Sequence, residues 1–375
     1  MDLKNIEYVV PCLFGLESTV RDELKDMGED VTEVRDGRVT FRGDLASLAK
    51  ASLRLRCGER ILIRLSTFQV YSFEDLYQGV KAIPWEDIIG SKDAFPVTGH
   101  CLRSQLASVP DCQKIMKKAV VDRLSDAYGL KWFPETGIKY ALSFLIMKDS
   151  AEIMLDTSGE GLHKRGYREQ GSEAPLKETL AAAIVKTSRY RGRDVFVDFM
   201  CGSGTIPIEA AMIAQNIAPG LHRTFAFEGF SFFKKTILQD ERQAALDLIE
   251  HKDIRILASD IDPEMTNLTK HNARLAGVDK YITVSTADMR NFSSQEQYGT
   301  IVCNPPYGER LMGKDETAQL YRDMGRVTSK LPQWRFYIIT ADEYFERCFG
   351  RPADKKRKLY NGMIKCDLYQ YYKIK

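Results

Sequence analysis

The 375-residue sequence holds no C-x-x-C pair, and its eight cysteines are scattered: Cys12, Cys57, Cys101, Cys112, Cys201, Cys303, Cys348 and Cys366. It has only five histidines, with no cluster beside those thiols, so neither a disulfide framework nor a metal site is expected. Free thiols fit a reducing compartment. No apolar run approaches the roughly 18 residues of a membrane span. Met1-Asp2-Leu3-Lys4-Asn5 does not read as a signal peptide. A soluble, cytoplasmic protein without membrane contact is therefore expected. Charge of one sign is also missing. The formal net charge is +2, so attraction to nucleic acid must come from local basic patches. Repeats and low-complexity segments are absent as well. Hydrophobic residues make up 44% and charged residues 28%, near the globular average, and the length suits two or three domains.

The order of elements divides the chain. Residues 6–13 read as a strand, and 15–28 as a helix with Leu16, Val20, Leu24 and Met27 on one face and Gly28 as its stop. Strands at Val31–Arg35 and Arg38–Phe41 meet at Asp36-Gly37, a hairpin signal. A helix near Leu45–Leu53 and a strand near Arg60–Phe68 complete a β-α-β-β-α-β unit, so residues 1–68 are expected to be ferredoxin-like. A second α+β unit is expected over 69–156, with a long helix 111–128. Residues 157–175, rich in glycine, read as a linker. From 176 to 375 strands alternate with helices, which predicts a mostly parallel, Rossmann-like sheet whose last two strands are antiparallel.

Four motifs follow one another in that last region. Val197-Asp198-Phe199-Met200-Cys201-Gly202-Ser203-Gly204-Thr205 is a strand, a glycine turn and the start of an alanine-rich helix. It lacks the P-loop lysine and the third glycine of the dinucleotide fingerprint. A smaller zwitterionic ligand fits, with Asp198 placed to bind an ammonium. Asp260, in Ala258-Ser259-Asp260-Ile261-Asp262, ends the next strand and can accept from ribose hydroxyls. Asp262 is expected to cap the helix that begins at Pro263. The spacing from the glycine turn to Asp260 implies an insertion around 216–253. Asp288, in Ala287-Asp288-Met289, either reaches a ligand's adenine ring or caps a turn.

The most specific motif is Asn304-Pro305-Pro306-Tyr307, directly after the apolar Ile301-Val302-Cys303. Two prolines stiffen the backbone and remove two N–H donors. The Asn304 amide oxygen and a neighbouring carbonyl can then hold the two hydrogens of an exocyclic amino group and disperse the positive charge that grows as a methyl arrives. Tyr307 can stack on a flipped base. Basic residues outside these motifs are either solvated surface or phosphate contacts. They are Arg103, Lys114, Lys117 and Lys118, then Lys164, Arg165 and Arg168 around one tyrosine, and the run Lys355-Lys356-Arg357-Lys358.

Taken with Gly161–Arg168, Ala174–Ala182, Ala218-Pro219-Gly220 and Phe225–Glu228, these motifs resemble the THUMP-containing RNA methyltransferases, nearest the bacterial RlmL-like group of rRNA guanine-N2 methyltransferases. The resemblance implies a ferredoxin-like domain, an RNA-binding THUMP domain and a Rossmann-like methyltransferase domain using S-adenosylmethionine. It implies that Asp198, Cys201, Gly202, Ser203, Gly204 and Thr205 contact that cofactor. Asp260 would hold its ribose and Asp288 its adenine, with Ile261 and Met289 also binding the cofactor. Asn304 would touch both cofactor and base, with Pro305, Pro306 and Tyr307 completing the catalytic loop. The expected substrate is RNA, 23S rRNA or a ribosomal precursor, and a single methylation is expected. The loop itself suits adenine N6 as well as guanine N2, and a tRNA target or a non-catalytic assembly factor are further readings.

Overall fold

The computed structural model describes residues 2–168, 176–306 and 313–372. The first sheet uses β1 (Ile6–Pro11), β2 (Asp30–Arg35), β3 (Arg38–Gly43), β4 (Leu62–Gln69), β5 (Val97–Leu102), β6 (Leu142–Met147) and β7 (Ser150–Asp156), in the order β2-β3-β1-β4-β7-β6-β5. Its helices are α1 (Glu17–Asp26), α2 (Leu45–Arg54), α3 (Phe73–Lys81) and α4 (Val109–Tyr128). Local chemistry sets their starts. Asp44 caps α2 by accepting from Ser47 N at 2.9 Å, and Ser72 with Asp75 forms a capping box at α3. The Asp36-Gly37 turn forms as expected, with β2 and β3 paired antiparallel.

The two N-terminal units do not have separate sheets. β4 pairs with β1 on one side and β7 on the other, both antiparallel, which joins all seven strands. A strand with two free edges gains a second ladder by this, and no edge is left to water in the middle of the molecule. Sequence spacing carries no trace of it, because β4 and β7 are far apart in the chain.

The second sheet is built from β8 (Val195–Asp198), β9 (Ile256–Asp260), β10 (Ile282–Thr286), β11 (Gly299–Cys303), β12 (Arg335–Thr340), β13 (Lys355–Asn361) and β14 (Ile364–Tyr371). Its order is β10-β9-β8-β11-β12-β14-β13, parallel as far as β12, with β14 antiparallel to both neighbours. Its helices are α5 (Glu178–Ser188), α6 (Thr205–Ala214), α7 (Lys235–Asp247), α8 (Pro263–Leu275), α9 (Lys314–Ser329) and α10 (Phe345–Phe349). This is the expected Rossmann-like sheet. Every residue of β8 and β11 is buried, as parallel strands covered on both faces require. The closing turn of the antiparallel pair is Gly362-Met363, with Asn361 opposite Ile364. The Lys355–Lys358 run lies on this edge strand, where exposed lysines hinder pairing with another chain.

The halves share one core. α5 is buried along nearly its whole length, packed on α6 and the second sheet, while its Lys186 pairs with Glu23 of α1 at 3.0 Å. Leu180 and Ile184 are fully buried, each contributing about 1.5–3 kcal/mol. The insertion carries α7, which packs on α2, and Gly220 N donates to Leu53 O at 2.8 Å. The described part of the expected linker is not slack: Thr157, Ser158, Leu162, Arg165 and Tyr167 are all buried.

Candidate active site

The C-terminal ends of β8, β9, β10 and β11 meet at one edge of the parallel sheet, where α/β folds hold ligands. Asp198 ends β8 and is buried. Its Oδ1 accepts from Met200 N at 3.2 Å, and burial holds the carboxyl well above the usual range, with Asp260 adding to the effect. A ligand ammonium at this carboxylate would reverse that penalty.

The loop after β8 is fixed from three sides. Cys201 N donates to Ser259 O at 2.9 Å, and Gly202 N donates to Asp260 Oδ2 at 2.9 Å. From α8, Thr269 Oγ1 donates to Gly202 O at 2.7 Å and Asn272 Nδ2 to Ser203 O at 2.8 Å. Gly204, at φ +86°, caps α6 in the left-handed region, and a Cβ there would stand 2.8 Å from Thr269 Cγ2. Gly202, at φ +51°, has nothing within 4 Å of where a Cβ would stand, so the loop is open on that side. Thr269 and Asn272 were not among the expected site residues. Their signal is a polar pair three positions apart on a helix, both buried.

Asp260 keeps capacity to spare. One oxygen accepts from Gly202 N and the other from Asp262 N at 3.0 Å, leaving lone pairs on both. Ile261 beside it is 64% exposed, an uncovered apolar surface at the sheet edge. Asp262 caps α8 as expected, accepting from Glu264 N at 2.8 Å. Asp288 forms the turn cap: it accepts from Arg290 N at 2.9 Å and pairs with the Arg290 guanidinium at 2.8 Å, which lowers its pKa. Met289 has its side chain buried in the hydrophobic cluster of the second sheet that also holds Phe199 and Ile301.

At the end of β11, Asn304 is half-buried and Pro305 buried. Asn304 Oδ1 is shielded from solvent with no hydrogen-bond partner among the described residues. A buried amide oxygen without a donor carries a desolvation cost of about 1–3 kcal/mol, which a donor from outside would relieve. The neighbouring Cys303 is buried, and burial pushes its thiol well up, with Asp198 adding to the effect. Tyr307 lies outside the described residues.

The basic residues separate into two groups. Arg103, Lys114, Lys118 and Lys164 are exposed. The others are committed to the fold. Arg165 has only 2% of its side chain exposed and donates to Glu209 Oε1 at 3.3 Å, Leu162 O at 2.6 Å and Arg56 O at 2.5 Å. An arginine so enclosed braces the chain and cannot reach a phosphate, which corrects its expected place at RNA. Tyr167 OH donates to the same Glu209 oxygen at 3.2 Å. Arg168 pairs with Glu178 at 2.8 Å and donates to Thr205 Oγ1 at 3.2 Å, tying the segment before α5 to the glycine loop. Lys117 lies over the Phe95 ring and pairs with Glu135 at 2.7 Å.

Residues 165–370 match the family signature described as RMKL-like, methyltransferase domain. The chain belongs to this methyltransferase family. Residues 7–62 match the RlmL ferredoxin-like domain and 70–156 the THUMP domain, so the RMKL-like enzyme carries both N-terminal modules. YpsC of Bacillus subtilis (strain 168), which bears the name of an RNA methyltransferase, is 42% identical over 99% of this chain and 97% of its own. The ribosomal RNA large subunit methyltransferase K/L of Psychromonas ingrahamii is 34% identical over 98% of this chain, which spans 50% of that longer protein. Among solved structures, a Listeria monocytogenes protein described as a predicted N6-adenine-specific DNA methylase matches with TM-score 0.94 and 43% identity, over 99% and 97% of the two chains. SMU.472, described as a methyltransferase and solved with SAH, matches with TM-score 0.92 and 39% identity over 99% of each chain.

Proposed function

We propose that this RMKL-like enzyme methylates the exocyclic N2 of a guanine in 23S rRNA, drawing on S-adenosylmethionine. The observation that carries the reading is the buried Asn304 Oδ1, without a donor among the described residues, at the same sheet edge as the open glycine loop. S-adenosylmethionine supplies an electrophilic methyl group. Asp198 would hold its ammonium, the loop from Cys201 to Thr205 its main chain, Asp260 its ribose hydroxyls, and Ile261 and Asp288 its adenine end. Relatedness to SMU.472, solved with SAH, supports this choice.

Asn304 Oδ1 accepts one hydrogen of the amino group, and the Pro305 carbonyl the other. That arrangement turns the nitrogen lone pair out of the base plane and spreads the charge that develops on it. Tyr307 stacks on the base, and Pro306 keeps the turn rigid. The proton leaves readily once the nitrogen is methylated, so no strong base is required. RNA as the substrate rests on the THUMP match and on the names of the two curated relatives, with Arg103, Lys114, Lys118 and Lys164 as phosphate contacts. The proposed division remains 1–68, 69–156, 157–175 and 176–375.

Adenine N6 is the second reading, favoured by the description of the Listeria relative. Labelled S-adenosylmethionine, the full chain and 23S rRNA from cells lacking it separate the two. N2-methylguanosine in the digest is the expected product. N6-methyladenosine would transfer the mechanism to adenine, and no incorporation into any RNA would remove the RNA reading.

A further inference from the structure

The sequence has three tryptophans. Trp85 and Trp334 are buried, whereas Trp132 is 74% exposed, in the loop 129–139 between α4 and β6. Tryptophan is rarely left so open, because its large ring loses the most by facing water. The loop that carries it is held in place. Phe133 is buried with its ring edge-on to Phe95, centroids 6.2 Å apart. Glu135 accepts from Phe95 N at 3.2 Å, Gly137 N donates to Lys92 O at 2.7 Å, and Ile138 N donates to Asp93 Oδ1 at 2.9 Å. Just beyond, Tyr140 stacks on Phe230 of the methyltransferase insertion at 4.6 Å, so the loop is fixed relative to the second sheet.

The acidic groups nearest the loop are engaged within the fold. Glu135 is taken by Lys117, and Asp93 is occupied by the backbone N–H groups of Gly90 and Ile138. Lys92, Lys131 and Lys139 are exposed and make no ion pair among the described residues. An open indole on a held loop that also carries Lys131 and Lys139, and that is bonded through Gly137 to Lys92, has the two things a nucleotide offers partners for, a π-face and a phosphate. A hydrophobic protein partner would call for a wider apolar surface than one ring with Leu130 and Ile138 at its margin.

We infer that Trp132 is a stacking platform for an unpaired nucleobase of the RNA substrate, with Lys92, Lys131 and Lys139 at the flanking phosphates. This rests on the RNA reading above and adds where the RNA is gripped outside the active site. Trp132 is also the one exposed tryptophan, so intrinsic fluorescence reports on it directly.

The test titrates the full chain with in vitro-transcribed 23S rRNA and with a short single-stranded oligouridylate. Stacking should quench the exposed-tryptophan emission. Trp132→Ala should weaken RNA binding about tenfold, with Trp132→Phe between the two. Lys131→Ala and Lys139→Ala should each lower the salt slope of binding by about one. S-adenosylmethionine binding and thermal midpoint should be unchanged in all four variants. RNA affinity unchanged in Trp132→Ala would overturn the inference while leaving the RNA reading intact. Wild-type protein that binds neither RNA would sink that reading first. A Trp132→Ala defect seen only with ribosomal particles, and not with naked RNA, would assign the loop to a protein partner instead and overturn the inference.

Discussion

On the first sheet Glu152 is buried between three arginines, with Arg38 at 3.1 Å, Arg64 at 3.2 Å and Arg35 at 3.7 Å, and Arg64 turns its other nitrogen to Glu7 at 3.1 Å. At the C-terminal edge of the second sheet, Asp198 is buried with one amide contact, from Met200 N, and Asn304 Oδ1 has none among the described residues. Both regions bury polar groups on a seven-stranded sheet. In the first the charged groups pair with one another, and in the second Asn304 Oδ1 has no donor among the described residues. Buried polar atoms are paired in nearly all of a native fold, so one left unpaired at the sheet edge where such folds hold ligands is a candidate contact for a ligand.

That contrast can be broken from either side. Asn304→Ala should lower methyl transfer about a thousandfold while S-adenosylmethionine affinity stays within about threefold, measured by label incorporation and calorimetry. A variant with normal turnover would show that the orphaned oxygen has no role. Glu152→Ala should do the opposite. Three arginines lose a shared buried anion, so stability should fall by about 3 kcal/mol in denaturant unfolding, with transfer per folded molecule unchanged.

Gly204→Ala tests the loop between these extremes. A methyl at φ +86° and 2.8 Å from Thr269 Cγ2 should cost about 1–3 kcal/mol of stability and weaken cofactor binding together. Loss of one without the other would separate loop shape from ligand contact. The smallest effect is one of pH. Burial raises the Glu178 pKa to about 7, despite Arg168 beside it. The folded chain therefore holds a proton that the unfolded chain has released. This contribution is present below the unfolded value of about 4.3 and is lost as pH rises through about 7. Glu178→Gln should flatten that decline, read from unfolding midpoints at about pH 5 and about pH 8.

The legible parts of the molecule were those set by neighbours in sequence. Asp36-Gly37 turns a hairpin because glycine takes the left-handed angle there. Asp262-Pro263 starts α8, and strand, glycine turn and helix follow one another at Asp198–Thr205 because each needs only its own residues. What the sequence could not convey depends on partners far along the chain. Arg165 reads as a basic surface residue until Glu209 and the Leu162 and Arg56 carbonyls close around it. Lys117 reads as one of a basic cluster until Phe95 and Glu135 claim it. The β4–β7 ladder and the burial of Met289 have the same origin. Hydrophobic period places a residue on a face, and the second face it meets is decided elsewhere.

The packing of α7 on α2, with Gly220 bonded to Leu53, has a consequence for target choice. It makes the protein a caliper with locked jaws. On the proposed RNA reading, the span from the THUMP-bearing sheet to the Asn304 loop is then set by this packing, and a substrate would be selected by how far its reactive base lies from the part that is gripped. Lengthening or shortening the RNA between those two points by one base pair should move the methyl group to a neighbouring nucleotide or abolish its transfer.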